Sequence, residues 1–352
     1  MAKIISGIQQ LGIGVPDMNA AWKWYRGAFG MDIRMFEESA EAPDMIKYTG
    51  GKVQSRTAAL AMNMKGGGGF EIWQYTSREP QSAKAPLVLG DYGIFAGKMK
   101  APDVGAAYSH HKKCGFQLLG EPSKTPDGGE TFFVIDPYEN IFQIVQSDDW
   151  FSTTESVTGG AEGSIIGVSD IDKARTLYSD ILGYDKVVYD QEGVFEDFKG
   201  LPGGEQQVRR VLLRRQHPTA GSFSEFLGSG SVELVQALEG QPKKIFADRY
   251  WGDRGFIHLC FDIKDMTNLK KECESKGYPF TVDSGDVFDM GEASGRFAYI
   301  EDPNGTLIEF VETNKIPIVK KIGWYLNLSK KNPEKPLPRW ILKMLSFNRV
   351  KD

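Results

Sequence analysis

Residues 10–32 read QLGIGVPDMNAAWKWYRGAFGMD, and this stretch decides the fold because its pattern occurs four times in the chain. An alternating apolar strand leads through Asp17 into an amphipathic helix, and Gly30 separates that helix from the next strand. An aspartate at a helix start accepts hydrogen bonds from free backbone N–H groups and suits the positive end of the helix dipole. A glycine just past the helix adopts the left-handed conformation that ends it. The stretch therefore predicts strand, helix and strand in that order.

Three further segments repeat this order. They are KMKAPDVGAAYSHHKKCGF (98–116), SIIGVSDIDKARTLYSDILGYD (164–185) and HLCFDIKDMTNLKKECESKGY (258–278). Their helices are predicted to begin at Asp103, Asp170 and Asp265 and to end at Gly115, Gly183 and Gly277. Two units also finish in a similar predicted hairpin, FFVIDPYENIFQIV (132–145) and FAYIEDPNGTLIEF (297–310). Four repetitions in register predict four copies of one β-α-β-β-β module.

This module, with V-x-D before the helix and DP-x-G-x-x-x-E on the last strand, resembles the vicinal-oxygen-chelate superfamily of glyoxalases, bleomycin resistance proteins and extradiol dioxygenases. The resemblance covers residues 5–313. It implies an α+β fold in which paired modules form half-open barrels, each able to hold a divalent metal ion. We expect an N-terminal domain at 1–150, a C-terminal domain at 151–314 and a basic amphipathic tail at 315–352. The polar stretch Ser147–Gly163 is the expected boundary between the two domains.

The resemblance also implies where the metal ligands lie. One ligand sits seven residues before the aspartate of the helix start, and the other lies on the last strand of the module. Applied to the N-terminal domain, this rule selects Gln10, Glu71, Ala96 and Gln143. Ala96 has no donor atom and two of the others are neutral amides, so this domain is predicted to hold no metal.

In the C-terminal domain the same rule selects Gly163, Glu233, His258 and Glu309. Carboxylates in the middle of apolar strands are rarely buried unless they are paired or bound to a cation. We therefore predict Glu233, His258 and Glu309 as the metal ligands. Glu233 or Glu309 is the predicted catalytic base, and the sequence does not choose between them.

Gly163 departs from the pattern of the iron dioxygenases, which have a histidine at this position. It leaves space that water or substrate could fill, or that His217 could enter from the loop before the Glu233 strand. His110 and His111 are expected to be solvated on their helix. The four arginines of VRRVLLRR (208–215) are predicted to form a solvated basic edge strand, with an anion site as the alternative.

The predicted function follows from the resemblance. Glyoxalase-type lyases and isomerases use mixed His, Gln and Glu ligands, and their metal holds two neighbouring substrate oxygens as an enediolate forms. We predict such a lyase or isomerase, with one zinc, nickel, cobalt, manganese or iron ion and a small oxygenated substrate. One alternative is an extradiol or keto-acid dioxygenase with an altered iron ligand set. The other is a non-catalytic protein that binds a small molecule.

Composition limits the remaining possibilities. The formal charge is −5, but residues 315–352 carry ten Lys or Arg against two acids, which leaves −13 on the remainder. The tail is predicted to dock on its own acidic body, with a membrane or nucleic-acid contact as the alternative. We expect no secretory signal, because residues 1–15 lack a long apolar run followed by a small-residue cleavage site, and no membrane span, because no run of eighteen apolar residues occurs. The odd number of three cysteines suggests reduced thiols in a cytoplasmic protein. Separately, we expect no nucleic-acid partner and a possible homodimer.

Overall fold

The computed structural model describes residues 3–285, 288–289, 294–319, 323–329 and 331–351. The strands are β1 (Ile4–Gly14), β2 (Ile33–Glu41), β3 (Ser55–Met62), β4 (Gly69–Tyr75), β5 (Gly93–Ala101), β6 (Gln117–Lys124), β7 (Glu130–Ile135), β8 (Ile141–Gln146), β9 (Ala161–Gly167), β10 (Lys186–Gly193), β11 (Val208–Arg214), β12 (Ser231–Ala237), β13 (Gly255–Lys264), β14 (Val282–Asp283), β15 (Phe288–Asp289), β16 (Ser294–Glu301), β17 (Leu307–Val319) and β18 (Trp324–Asn327). The α-helices are α1 (Met18–Phe29), α2 (Val104–Lys113), α3 (Ile171–Tyr178), α4 (Ser224–Leu227), α5 (Met266–Ser275) and α6 (Arg339–Lys343). Short 3-10 helices lie at Pro43–Tyr48, Glu196–Phe198 and Met344–Asn348.

The four predicted helix starts are confirmed. Asp17, Asp103, Asp170 and Asp265 each precede their helix, and a carboxylate oxygen of each accepts a hydrogen bond from the backbone N–H three residues later. Gly30 follows α1 in the left-handed conformation with φ 61°, as a helix-ending glycine should. Each of these helices buries one apolar face against the strands of its module, and α1 does so through Trp22, Tyr25 and Phe29, among others.

The two predicted hairpins are also confirmed, and an aspartate organises each of them. Asp136 accepts hydrogen bonds from backbone N–H groups of its own turn and from the Tyr25 hydroxyl at 2.6 Å. Asp302 does the same for its turn, and the Tyr178 hydroxyl donates to it at 3.0 Å. Glu139 takes a positive φ of 71° at the turn position where the other hairpin has a glycine.

The modules are arranged in two sheets. Module 1 is residues 4–75, module 2 is 93–146, module 3 is 161–237 and module 4 is 255–319. The outer-module sheet has the strand order β14-β16-β17-β13-β1-β4-β3-β2 and contains modules 1 and 4. The inner-module sheet has the order β10-β11-β12-β9-β5-β8-β7-β6 and contains modules 2 and 3. Both sheets curl into half-barrels, so the predicted α+β fold of two half-open barrels is confirmed.

The predicted pairing of modules was wrong. We expected modules 1 and 2 to share one barrel and modules 3 and 4 to share the other. In the structure, β1 pairs antiparallel with β13, and β5 pairs antiparallel with β9. The physical reason is that the first strand of each module already pairs with the last strand of the same module on one side. Its other edge must therefore pair with another first strand, and the repeat pattern does not say which one.

The tail packs on the body of the protein. The β17 strand continues past residue 314 into the tail, and β18 pairs with it. Leu337, Leu342 and Leu345 are buried in a cluster with Phe223 and Phe226. Arg339 forms an ion pair with Glu225, and Arg349 forms one with Asp32. These contacts agree with the predicted docking of basic tail residues on the acidic body.

Two further expectations concern the cysteines and membrane-spanning helices. All three cysteines are free: Cys114 is exposed, while Cys260 and Cys273 are buried. Within the described ranges, no helix is both long and apolar enough to cross a membrane.

Candidate metal centre

Four polar side chains meet on the concave face of the outer-module sheet. Gln10 comes from β1, Glu71 from β4, His258 from β13 and Glu309 from β17, which are the four central strands of that sheet. The register of these strands explains why the four side chains converge. Gly12 lies opposite both Glu71 and His258, and Cys260 lies opposite both Gln10 and Glu309. Because side chains alternate between the two faces of a strand, the four residues point to the same side.

The polar atoms of these side chains are close together. His258 Nε2 lies 3.1 Å from Glu309 Oε2 and 3.3 Å from Glu71 Oε2. The Gln10 amide nitrogen lies 3.3 Å from each of the same two carboxylate oxygens. Atoms bound at about 2.1 Å to one tetrahedral ion are about 3.4 Å apart. The donor atoms could therefore bind a single ion without movement of the strands.

A glycine and a tyrosine hold the His258 ring in place. A Cβ atom added at Gly12 would lie 2.4 Å from His258 Cε1, so only glycine lets β1 pass this close to the ring. On the other side, the Tyr299 hydroxyl lies 3.3 Å from Nδ1 and also contacts the Glu309 carboxylate. Since that hydroxyl can accept from Nδ1–H while it donates to Glu309, we assign the proton to Nδ1. This tautomer leaves the Nε2 lone pair free to bind a cation.

Among the described residues, two buried atoms of the cluster have no hydrogen-bond partner. They are Gln10 Oε1 and His258 Nε2. The nitrogen and oxygen of the Gln10 amide are interchangeable in position, so a turned amide would aim its oxygen at the same point as the carboxylates. Unpartnered polar atoms of this kind are costly to bury unless a ligand satisfies them, and both of these atoms carry lone pairs that a cation could bind.

The electrostatics of the cluster also fit a bound cation. Burial raises the pKa of Glu309, and the neighbouring charge of Glu71 raises it further. Burial opposes the charged form of His258, but the carboxylates of Glu309 and Glu71 outweigh it and raise the pKa of the imidazole. Two carboxylates that share so small a volume repel each other unless positive charge lies between them. One imidazole, one amide oxygen and two carboxylates are suitable ligands for a divalent ion such as zinc or manganese.

The cluster lies in a cavity of about 330 Å³. Glu71, Glu309 and Gln10 line it, together with aromatic rings from both modules of the sheet. The helix α4 contributes Phe226 to the wall, and the tail contributes Leu345. A small molecule that entered this cavity would therefore reach the carboxylates from an apolar chamber.

Glu233 does not belong to this cluster, so its predicted grouping with His258 and Glu309 was wrong. It lies on β12 in the inner-module sheet, where its carboxylate accepts hydrogen bonds from Lys98 Nζ at 2.6 Å and Tyr189 at 2.7 Å. Arg210 also forms an ion pair with it, and Asp197 binds the other side of that guanidinium. The ammonium group of Lys98 thus provides the positive charge that Glu233 needs. The cause of the error is the module pairing, because Glu233 and His258 belong to different sheets.

The other sequence expectations for this region are mostly wrong as well. A Cβ atom at Gly163 would lie 1.7 Å from the Ser231 carbonyl oxygen, so Gly163 allows close strand packing and leaves no space for a ligand. His217 is exposed in its loop and does not line the cavity. His111 is fully buried between aromatic rings, although it was expected to be solvated. Arg210 is fully buried too, because β11 lies one strand inside the sheet edge.

Sequence reasoning missed Gln10 and Glu71 as partners of His258. Both residues occupy the positions that the ligand rule selects, but they were assigned to a barrel with Ala96 and Gln143. The available signal was the donor set itself. Modules 1 and 4 are the two modules in which both selected positions carry donor atoms, Gln10 with Glu71 and His258 with Glu309, and any pairing that unites these modules brings the four residues together.

Comparisons with known proteins agree with this fold. Two family models, both described as the glyoxalase/bleomycin resistance protein/dioxygenase superfamily, match residues 7–144 and 165–299. The structure of glyoxalase I from Zea mays is 15% identical over 88% of this chain and 92% of its own, with a TM-score of 0.54.

A proposed dioxygenase from Bacillus subtilis is 14% identical over 99% of this chain and 98% of its own, with a TM-score of 0.56. At such identities these two likenesses show a shared fold and nothing about substrate. No curated protein matches the sequence. Since the two family models together cover most of the chain, the chain belongs to the glyoxalase/bleomycin resistance protein/dioxygenase superfamily, the vicinal-oxygen-chelate group.

Proposed function

We propose that this protein is a metal-dependent lyase or isomerase of glyoxalase type, with one divalent ion held by Gln10, Glu71, His258 and Glu309. The observation that carries the proposal is the convergence of Glu71, His258 and Glu309, whose ligand atoms all lie within 4.8 Å of one another at a cavity wall. A bound divalent ion would stabilise negative charge as it develops on two neighbouring substrate oxygens.

Glu71 is the better of the two carboxylates for the role of base. Glu309 is buried and lies beside the Tyr299 hydroxyl and the Cys260 thiol, so it has little freedom to leave the cluster and suits the role of a fixed ligand. The Glu71 side chain is more exposed, at 13% against 8%, and it faces the cavity. A carboxylate that can turn away from the cluster can take the proton from the carbon next to a substrate carbonyl. The apolar wall limits water at that point, which favours proton return to the substrate.

The ligand set argues against the dioxygenase alternative. Iron dioxygenases of the facial-triad type use two histidines and one carboxylate. This cluster offers one imidazole, and the remaining histidines lie elsewhere: His110 and His111 are on α2, and His217 is in a loop. Iron in the purified protein, together with oxygen uptake, would reverse this preference.

Metal analysis of protein purified without chelator tests the proposal. We expect about one zinc, nickel, cobalt or manganese ion per chain, and its loss in His258→Ala because the imidazole ligand is gone. Glu71→Gln should retain the metal through its amide oxygen. The rate at which the substrate proton next to a carbonyl exchanges with deuterium in D₂O should fall by about 10²–10⁴-fold, because the base is lost.

His217→Ala serves as the control, since that exposed residue lies outside the cavity lining, and it should keep both metal and exchange. A metal-free wild-type protein whose stability ignores chelators would overturn the proposal. Metal retention in His258→Ala would overturn the ligand assignment.

A further inference from the structure

The walls of the cavity beyond the metal cluster are largely apolar. Aromatic rings line it from several directions: Phe36 and Trp73 from module 1, Phe226 from α4, Trp251 from the segment before β13 and Phe297 from module 4. Leu227, Ile316 and Leu345 add aliphatic surface. A chamber of this kind favours a ligand with an apolar or aromatic body, since burial of that body removes apolar surface from water.

The charged groups of the lining have a strong bias in sign. Besides Glu71 and Glu309, the carboxylates of Glu38, Glu41 and Asp44 line the cavity. Among the described lining residues, Arg56 is the one basic side chain, and Glu38 forms an ion pair with its guanidinium. Five acidic residues and one arginine thus line the cavity, and Glu38 already neutralises the arginine. Even with a divalent ion bound, the lining would carry an excess of negative charge.

The position of these charges matters for entry. Glu41 ends β2, Asp44 lies in the 3-10 helix that follows, and both residues are exposed. They therefore meet an incoming molecule before the buried cluster does. Negative charge at the mouth of an apolar cleft repels anions and lowers their local concentration.

We infer that the cavity selects a vicinal oxygen compound with an apolar body and no negatively charged group apart from the oxygens at the metal. This inference rests on the proposed metal centre and adds the substrate class to it. Glu41 and Asp44 are the residues that set the selection, while Arg56 is held by Glu38 and does not serve as an anion receptor. The same charges disfavour an anionic thiol adduct.

Binding of three matched hydroxamates tests the inference without any need for turnover. Benzohydroxamate, 4-carboxybenzohydroxamate and 4-(aminomethyl)benzohydroxamate present the same pair of neighbouring oxygens to the metal and differ only in the charge at the far end. Quenching of Trp73 and Trp251 fluorescence in the metal-loaded protein reports occupancy, because both rings line the cavity. We expect the carboxylated compound to bind on the order of tenfold more weakly than the other two.

Charge reversal at the mouth provides the second arm. In Glu41→Lys/Asp44→Lys the order should invert, so that the carboxylated compound binds at least as tightly as benzohydroxamate. Glu239→Lys is the matched control, because Glu239 is exposed and does not line the cavity, and it should leave the order unchanged. Metal content, measured in each variant, confirms that the centre is intact.

The possible failures are distinguishable. If the carboxylated compound binds the wild type as tightly as benzohydroxamate, or more tightly, the inference is overturned and the metal centre stands. If that tight binding also disappears in Arg56→Met, Arg56 is an anion receptor after all. If the protein takes up no metal, or if none of the three compounds binds it when metal is present, the proposed centre at the cavity wall fails and the inference fails with it.

Discussion

At the residue scale, the two sheets solve the same electrostatic problem in different ways. Glu71 and Glu233 occupy equivalent positions, since each lies on the last strand of its module opposite the first strand. Glu71 meets an imidazole and a second carboxylate, whereas Glu233 meets the ammonium of Lys98 and the guanidinium of Arg210. A buried carboxylate needs a positive partner in either case. In the inner-module sheet, the side chains of Lys98 and Arg210 supply this positive charge.

Removal of the Glu233 charge should therefore destabilise the protein without any effect on metal content. Glu233→Gln leaves the buried ammonium of Lys98 without its counter-ion and removes one of the two carboxylates that pair with Arg210. We expect a loss of about 3–5 kcal/mol in the free energy of unfolding, measured by urea denaturation. Glu239→Gln, at an exposed position, should change it by less than about 0.5 kcal/mol.

The same substitution should change the acid sensitivity of the protein. Burial opposes ionisation of Glu233, but Arg210 and Lys98 outweigh it and lower the pKa of this carboxyl to about 2. A carboxyl whose pKa is lower in the folded state stabilises the fold above its unfolded pKa of about 4.3. That contribution is lost as the pH falls from about 4.3 towards 2. Glu233→Gln should show a shallower fall in stability over this range than the wild type; an identical pH profile would contradict the assignment.

At the element scale, the four helix starts are chemically alike but conformationally different. Asp17, Asp103 and Asp170 have extended backbone, as is usual for a residue that caps a helix. Asp265 instead has φ 70°, in the left-handed region that residues with a Cβ atom rarely adopt. Its side chain accepts from the backbone N–H of Asn268, and its own backbone N–H donates to Glu312. These contacts hold α5 at a strained start.

Substitutions at Asp17 and Asp265 should separate the cost of losing a side-chain cap from the cost of the left-handed backbone. Asp17→Ala loses the side-chain cap alone and should cost about 1 kcal/mol of stability. Asp265→Ala loses the cap and keeps the left-handed backbone, so it should cost about 2 kcal/mol or more. Asp265→Asn should be close to neutral, because asparagine both caps a helix and tolerates that conformation. Equal losses for Asp17→Ala and Asp265→Ala in thermal or urea denaturation would refute this account.

At the scale of the whole molecule, the first and last modules form one site. The donors Gln10 and Glu71 lie near the start of the chain, whereas His258 and Glu309 lie near its end, and β1 and β13 join them. The tail follows module 4 and covers the same cavity with Leu345. Formation of the site therefore requires contact between distant parts of the chain, which makes metal binding a property of the complete fold.

A metal ion between modules 1 and 4 should stabilise the entire chain. At a free metal concentration a hundredfold above the dissociation constant, binding adds about 2.7 kcal/mol, visible as a rise in Tm that a chelator removes. Gln10→Ala and His258→Ala should each reduce this rise, although they lie in opposite halves of the chain. Gln117→Ala, at an exposed position on β6, is the control and should retain it. A full metal effect in Gln10→Ala would remove Gln10 from the ligand set, and a full effect in Glu71→Ala as well would exclude binding between the two modules.

Much of this protein could be predicted from its residues because the relevant interactions are local. Asp17 and Gly30 end a helix through contacts within a few residues, and Asp136 and Asp302 organise their own turns. His258 and Glu309 were recognisable as donors because charged or polar groups in the middle of apolar strands require a partner. The pairing of modules has no such local signature, since all four first strands are apolar and each offers a free edge.

The repeated module, the helix starts, the two hairpin turns, the superfamily and the strand positions of the donors all follow from local patterns in the residues. Which modules share a sheet does not follow from such patterns and is seen only in the folded chain. That choice united Gln10 and Glu71 with His258 and Glu309 and left Glu233 with Lys98. The physical reason is that strand pairing between modules depends on edge-to-edge packing across almost the whole chain, where a difference of a few kcal/mol among similar edges selects one arrangement.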